Sequence, residues 1–163
     1  MEKMSLDERL NRLDTMRAEG RLLRGTWIDN DRACLLAALS PEAGRAGTWE
    51  KCPASVMPPW LAAMTPWMDD KGSLEAWPAM IGRYAALAHR WHVLTPETWR
   101  RLMSVACAIS VREAMGHTRE PRALAACTGV LSLCDRAATG DEPSADEWAA
   151  AEAEAAEAWA AGA

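Results

Sequence analysis

Apolar residues recur along this chain every three or four positions, the period of a helix with one buried side. Seven helical segments follow from that pattern. Ser5 is a good N-cap, acidic Asp7 and Glu8 follow it, and Leu6, Leu10, Leu13 and Met16 form one stripe until Gly20 and Gly25 weaken the helix. A second segment, capped by Asp29 or Asn30, carries Cys34, Leu35, Leu36 and Leu39 and stops before Ser40-Pro41. Residues 41–53 read as a loop rich in Gly, Pro and Ala, pinned by Trp49. A short third helix opens at Pro58 or Pro59, buries Trp60, Leu61 and Met64, and is limited by Pro66; Asp69-Asp70-Lys71-Gly72 reads as a solvated turn.

The fourth segment, starting between Ser73 and Pro78, has the cleanest stripe: Trp77, Met80, Ile81, Tyr84, Leu87, Ala88 and Trp91. Thr95-Pro96 caps and opens the fifth, which continues through Trp99, Leu102, Met103, Ala106 and Ile109 or Ser110 to about Met115. Gly116 to Glu120 break the chain. Pro121 then opens the sixth, lined by Leu124, Cys127, Leu131 and Cys134. The last helix starts at Ser144, with Trp148, Ala151, Ala155 and Trp159 as its inner stripe. The expected fold is all-α, a compact bundle of about seven short helices with no sheet, in one domain over residues 1–163. Its parts are N-terminal helices in 1–40, a central bundle in 54–138 and an acidic C-terminal helix in 144–161.

Composition changes the picture in two ways. With 33 Ala, 9 Trp and 9 Met but one Tyr and no Phe in 163 residues, core volume must come from Trp, Leu and Met, with Ala letting helices approach. Runs of β-branched residues are absent, which removes support for a sheet. Charge is uneven: net −5 overall, but +4 from Arg83 to Arg122 and −7 from Asp135 to the end. The polar N-terminus has no apolar signal core, and no run reaches membrane-spanning length, so the expected location is the cytoplasm, without membrane partners. Five cysteines without a C-x-x-C spacing are expected to be free thiols.

Candidate chemistry is sparse. His89 and His92, with Cys127 and Cys134, have the residue types of a zinc site, but cysteines seven apart on a helix are separated by about 10 Å of rise, too far for one ion. Cys52 in its loop and His117 at a chain break are the residues a small enzyme would use as nucleophile and base, yet no nucleophile motif frames them. Asp69-Asp70 lacks a third acid for a cation. No phosphate-binding glycine loop occurs. The expectation is therefore no catalytic residue, no metal and no cofactor. Trp49 and Trp67 lie near loops and are candidates for contact with a partner. Arg100 and Arg101, within the basic stretch, are candidates for phosphate contact in a nucleic-acid-binding module. Glu147, Glu152, Glu154 and Glu157 on the last helix either meet those arginines or offer an acidic, rod-like surface to a basic partner.

One segment carries a resemblance. Cys52-Pro53-Ala54-Ser55-Val56-Met57-Pro58-Pro59-Trp60-Leu61-Ala62, then Thr65-Pro66-Trp67-Met68-Asp69-Asp70-Lys71-Gly72-Ser73 and Ala76-Trp77-Pro78, resembles small uncharacterised helical proteins of bacteriophages and prophages. The end, Glu147-Trp148-Ala149-Ala150 to Ala158-Trp159-Ala160-Ala161, is similar to the tails of such proteins. The resemblance implies an accessory phage gene acting in a bacterial cytoplasm. Proteins of that kind bind and block a host or defence complex, CRISPR complexes included. It implies no site residues. The expected function is thus a non-enzymatic, protein-binding inhibitor; the alternatives are the nucleic-acid module and the small enzyme.

Overall fold

The computed structural model describes residues 4–71 and 73–162, which form two compact units divided at Leu94 and Thr95. Most of the chain is helical, as the periodicity predicts, with eight α-helices and one two-stranded ribbon among the described residues. Among them no helix is long and apolar enough to cross a membrane.

The first unit is organised around a buried five-residue helix. Helix α1 (Leu6–Ala18) begins with a capping box between Ser5 and Glu8 and buries Leu10, Leu13 and Met16. Helix α2 (Leu35–Leu39) is fully enclosed, and a buried helix needs partners for its end groups. They come from side chains of the neighbouring elements. At its start the Leu35 N–H donates to Asp69 Oδ2 (3.0 Å) and the Ala37 N–H to Cys34 Sγ (3.4 Å). At its end Arg12 donates to the carbonyls of Ala37 and Ala38, and Arg9 to that of Leu39 (3.0 Å). Anion at the N-terminus and cations at the C-terminus is also the arrangement the helix dipole favours.

Around α2 the details depart from the sequence pattern. Asp29 and Asn30 do not cap it. They belong to a ribbon in which β1 (Ile28–Asp29) pairs antiparallel with β2 (Arg32–Ala33), in register Ile28–Ala33 and Asp29–Arg32. Asn30 takes a left-handed φ of 56°, which asparagine tolerates, so the hairpin forms without glycine. The expected loop over 41–53 contains helix α3 (Pro41–Ala46), with Ser40 as cap and Pro41 in the first turn, followed by a 3₁₀ turn at Trp49–Lys51. Gly44 lets α3 lie against α2; a Cβ there would stand 2.7 Å from that of Ala37.

Helix α4 (Pro59–Asp70) runs through Pro66, which costs a helix about 3 kcal/mol. The turns on either side are anchored. Thr65 Oγ1, wholly buried, bonds Tyr84 Oη (2.8 Å) and the Leu61 carbonyl (2.7 Å), and Asp69 is fixed as above. The solvated turn read at Asp69-Asp70 is therefore the last turn of α4, with its carbonyls taken by Arg24 (2.7 Å from Asp69 and from Asp70); Gly72 lies outside the described residues. Helix α5 (Trp77–Ala88) packs on α1 and buries Ile81, Tyr84 and Ala88, but Leu87 of the expected stripe faces solvent. A 3₁₀ turn, Trp91–Val93, follows, and Trp91 meets Tyr84 edge-on at 5.5 Å.

The second unit is three helices joined by short loops: α6 (Pro96–His117), α7 (Pro121–Thr139) and α8 (Ala145–Gly162). Thr95 caps α6, Glu120 caps α7, and Ser144 with Glu147 forms the box that opens α8. The α6 helix continues through Gly116, where a break was expected, to His117. Gly140 ends α7 in a left-handed turn (φ 95°), with the Arg101 guanidinium 2.7 Å from where a Cβ would stand. Apart from Leu133, the described buried apolar side chains of this unit are small, among them Ala108, Ala126, Cys134, Ala137 and Ala151.

Candidate functional site

In the first unit the sequence candidates are held by the fold. Asp69 is buried, and besides Leu35 it accepts from the Trp77 indole N–H (2.8 Å); burial pushes its carboxyl above the ordinary range, against these two donors. Asp70 accepts from the Gly25 N–H (2.7 Å). Both carboxylates are thus engaged as structural acceptors, not as an acid pair facing a ligand. Cys52 is half-buried near the Arg9–Glu42 pair, and burial pushes its thiol up against the pull of Ser40 and Arg9. Cys34 is driven by burial to about 11. Such thiols stay protonated and are poor nucleophiles. His89 donates from Nε2 to Asp14 Oδ2 at 2.7 Å, while His92 is exposed in its 3₁₀ turn. Among the described residues no three His, Cys, Asp or Glu side chains converge to hold a metal. Trp49 (37% exposed) and Trp67 (55%) both reach the surface.

The second unit is built differently. Helices α6 and α8 each pack on α7 but make no comparable contact with each other. Between them lies an open groove of about 580 Å³, with Ala126, Cys127 and Val130 of α7 as its floor, Val111 of α6 on one wall, and Ala155 and Trp159 of α8 on the other. Trp159, expected on an inner face, is instead 82% exposed. The α8 helix has too few large apolar residues to close over α7: apart from Trp159, its positions that line the groove are alanines, and alanine cannot fill the space. The charged side chain among the described lining residues is Glu120, whose carboxylate already caps α7 at Ala123.

The acidic helix divides into two parts. Glu147 is engaged: it accepts from Arg136 Nη1 (2.5 Å) and from the Ser144 N–H (2.7 Å), and these hold its carboxyl at about 2. Glu152, Glu154 and Glu157 are exposed, and among the described residues no ion pair joins them to an arginine. The basic stretch does not neutralise them. Arg101 pairs with Glu97 (2.6 Å) and Arg112 with Asp135 (2.7 Å), while Arg100 shares a shallow cleft with Arg101, Glu97 and Glu142. The cleft holding Arg100 and Arg101 is therefore locally balanced rather than a bare cationic patch. His117 ends α6 at the surface. Round the helix from buried Ser104 and Ala108, Leu102, Val105 and Ile109 of α6 are exposed at i, i+3 and i+7.

Trp159 and the groove escaped the sequence reading, which took every apolar stripe to be a covered one. The signal was present: a stripe of Ala with a single indole near the helix end supplies little volume to bury. Comparisons with protein-family models, curated proteins and solved structures give no match to this chain.

Proposed function

We propose that this protein acts by binding and not by catalysis, occupying a cation-bearing surface of another macromolecule through α8. The observation that carries this reading is the pairing, on one helix, of three carboxylates that no ion pair engages among the described residues with an indole 82% exposed beside an apolar groove. Buried aromatic anchors rimmed by charge are where protein interfaces concentrate their binding energy. Carboxylates spaced along an exposed helix steer a basic partner and set its register. The thiols of Cys34, Cys52 and Cys134 are all pushed up by burial, which argues against nucleophilic chemistry at those positions.

The resemblance to phage proteins supplies the kind of partner: a host or defence complex, CRISPR complexes included, in which the acidic helix takes the place of a nucleic-acid backbone. The test is capture from bacterial lysate on the immobilised protein beside two variants, Glu152→Lys/Glu154→Lys/Glu157→Lys and Trp159→Ala. A stoichiometric partner held by the parent chain and lost by about tenfold or more in the triple reversal supports the proposal. Equal capture by all three proteins, or none by the parent, contradicts it.

A further inference from the structure

The groove of the second unit has a shape and a charge that specify what fills it. Its wall on the α6 side runs from Val111 to the C-cap Thr118, about 10 Å, and its wall on α8 from Ala155 to Trp159, about 6 Å at the helical rise. The floor is α7, and α6 and α8 stand apart across it. Three helices with a vacant position between the outer two are a four-helix arrangement lacking its fourth member. Ala126 and Ala155 allow the backbone of an incoming helix to come close.

Charge chooses among the occupants that would fit. Glu152 stands three residues before Ala155 and seven before Trp159, so the helical period puts it on their side of α8, one turn beyond the lining; it is exposed, and among the described residues no ion pair engages it. The lining adds Glu120. Arg119 and Arg122 are exposed and lie next to the groove's other end in sequence, not along the α8 wall. A second copy of this chain would bring its own acidic α8, with a net charge of −7 from Asp135 onward, against the same carboxylates. A fatty acid or an anionic membrane would meet the same repulsion.

Building on the binding role proposed above, we infer that the groove seats an amphipathic helix of a partner protein. Apolar side chains at i, i+3 or i+4, and i+7 rest on Val111, Val130 and Trp159, and a Lys or Arg on the flank facing α8 meets Glu152. This is the helix-in-groove mode of recognition, in which spacing sets affinity and flank charge sets orientation.

The probe is a fluorescent Leu/Lys peptide of about four turns with that apolar spacing. It is compared by anisotropy, at physiological salt, with a scrambled isomer of identical composition and with a Leu/Glu version. The amphipathic Lys peptide is expected to bind about tenfold or more tightly than either comparator, and to lose that margin with Ala155→Arg. Ala155 is exposed, so this substitution fills the groove and leaves the fold intact, as circular dichroism would verify. Glu152→Lys is expected to weaken binding more than Glu157→Lys. Equal binding of the two Lys isomers, insensitive to Ala155→Arg but abolished by the triple Glu reversal, would overturn the groove assignment and leave the acidic-surface reading standing. No binding of any Lys peptide even at low salt would count against both. A concentration-dependent dimer removed by Ala155→Arg would assign the groove to a second copy and overturn the proposal.

Discussion

Both units leave some large apolar side chains in water, but among the described residues of 4–94 charged groups leave water and are met by partners, whereas those of 95–162 keep their ion pairs at the surface and frame an open apolar groove. Arg9, almost fully buried, gives two bonds to Glu42 (2.8 and 2.6 Å) and one to Leu39; Asp69, equally buried, accepts two. Among its described residues the second unit has no comparable buried ion. Its described pairs, Arg101–Glu97, Arg112–Asp135 and those of Arg136 with Asp141 and Glu147, lie at the surface, while Trp159 and Ile109 face solvent. A unit with enclosed polar networks is specified internally. One with open apolar walls has interaction surface still available to a partner, and in this chain that surface lies on α6 to α8.

The comparison is broken most severely at Arg9. Arg9→Ala strands a carboxylate and a helix-end carbonyl, and should cost about 3 kcal/mol of stability in a urea titration. Arg136→Ala, which removes two surface pairs of the second unit, with Asp141 and Glu147, should cost far less because all three groups are solvated and screened. Equal losses would erase the distinction. Gly44→Ala should follow, at about 1–3 kcal/mol, since its methyl would stand 2.7 Å from the Ala37 Cβ in a closed core.

Acid sharpens the same contrast. Arg9 holds the Glu42 carboxyl at about 2 in the folded chain, below its ordinary 4.5. The stabilisation is therefore complete above about 4.5 and fades as pH falls toward 2, because the unfolded chain takes up the proton first. Glu42→Gln should flatten that acid limb of stability against pH. Glu147→Gln should change it far less, although Arg136 also holds Glu147 at about 2, because that pair stands in water. The smallest effect on stability belongs to Trp159→Ala, within about 0.5 kcal/mol for a side chain so exposed, although it should be the most damaging single change to partner binding.

Much of the fold was legible in the chain. Ser5, Thr95 and Ser144 cap where expected, Pro59, Pro96 and Pro121 open helices, and the 3.6-residue stripes mark α1, α5, α6 and α7. Helix α2 was legible as well, though not its cap; α3 and the Ile28–Ala33 ribbon were not, and these short elements owe their form to tertiary partners: arginines from α1, Asp69 from α4, and Gly44 against Ala37. Arg9 was visible in principle, as a charge set on the Leu6–Leu10–Leu13 side of its helix. The surface carboxylates of α8 could be read from sequence, but not which of them Arg136 engages. Periodicity reports which residues share a side of a helix, not whether a neighbour arrives to cover it; hence the misplacing of Leu87 and Trp159.

Hydrogen exchange at the tryptophan indoles, resolved by NMR in the free protein, addresses the contrast most directly. The Trp77 N–H, bonded to Asp69 inside the first unit, should exchange about a hundredfold or more slowly than that of Trp159, which should exchange near the rate of an unstructured peptide. Protection of Trp159 as strong as that of Trp77 would mean that the groove is closed in the free chain, and would contradict the account.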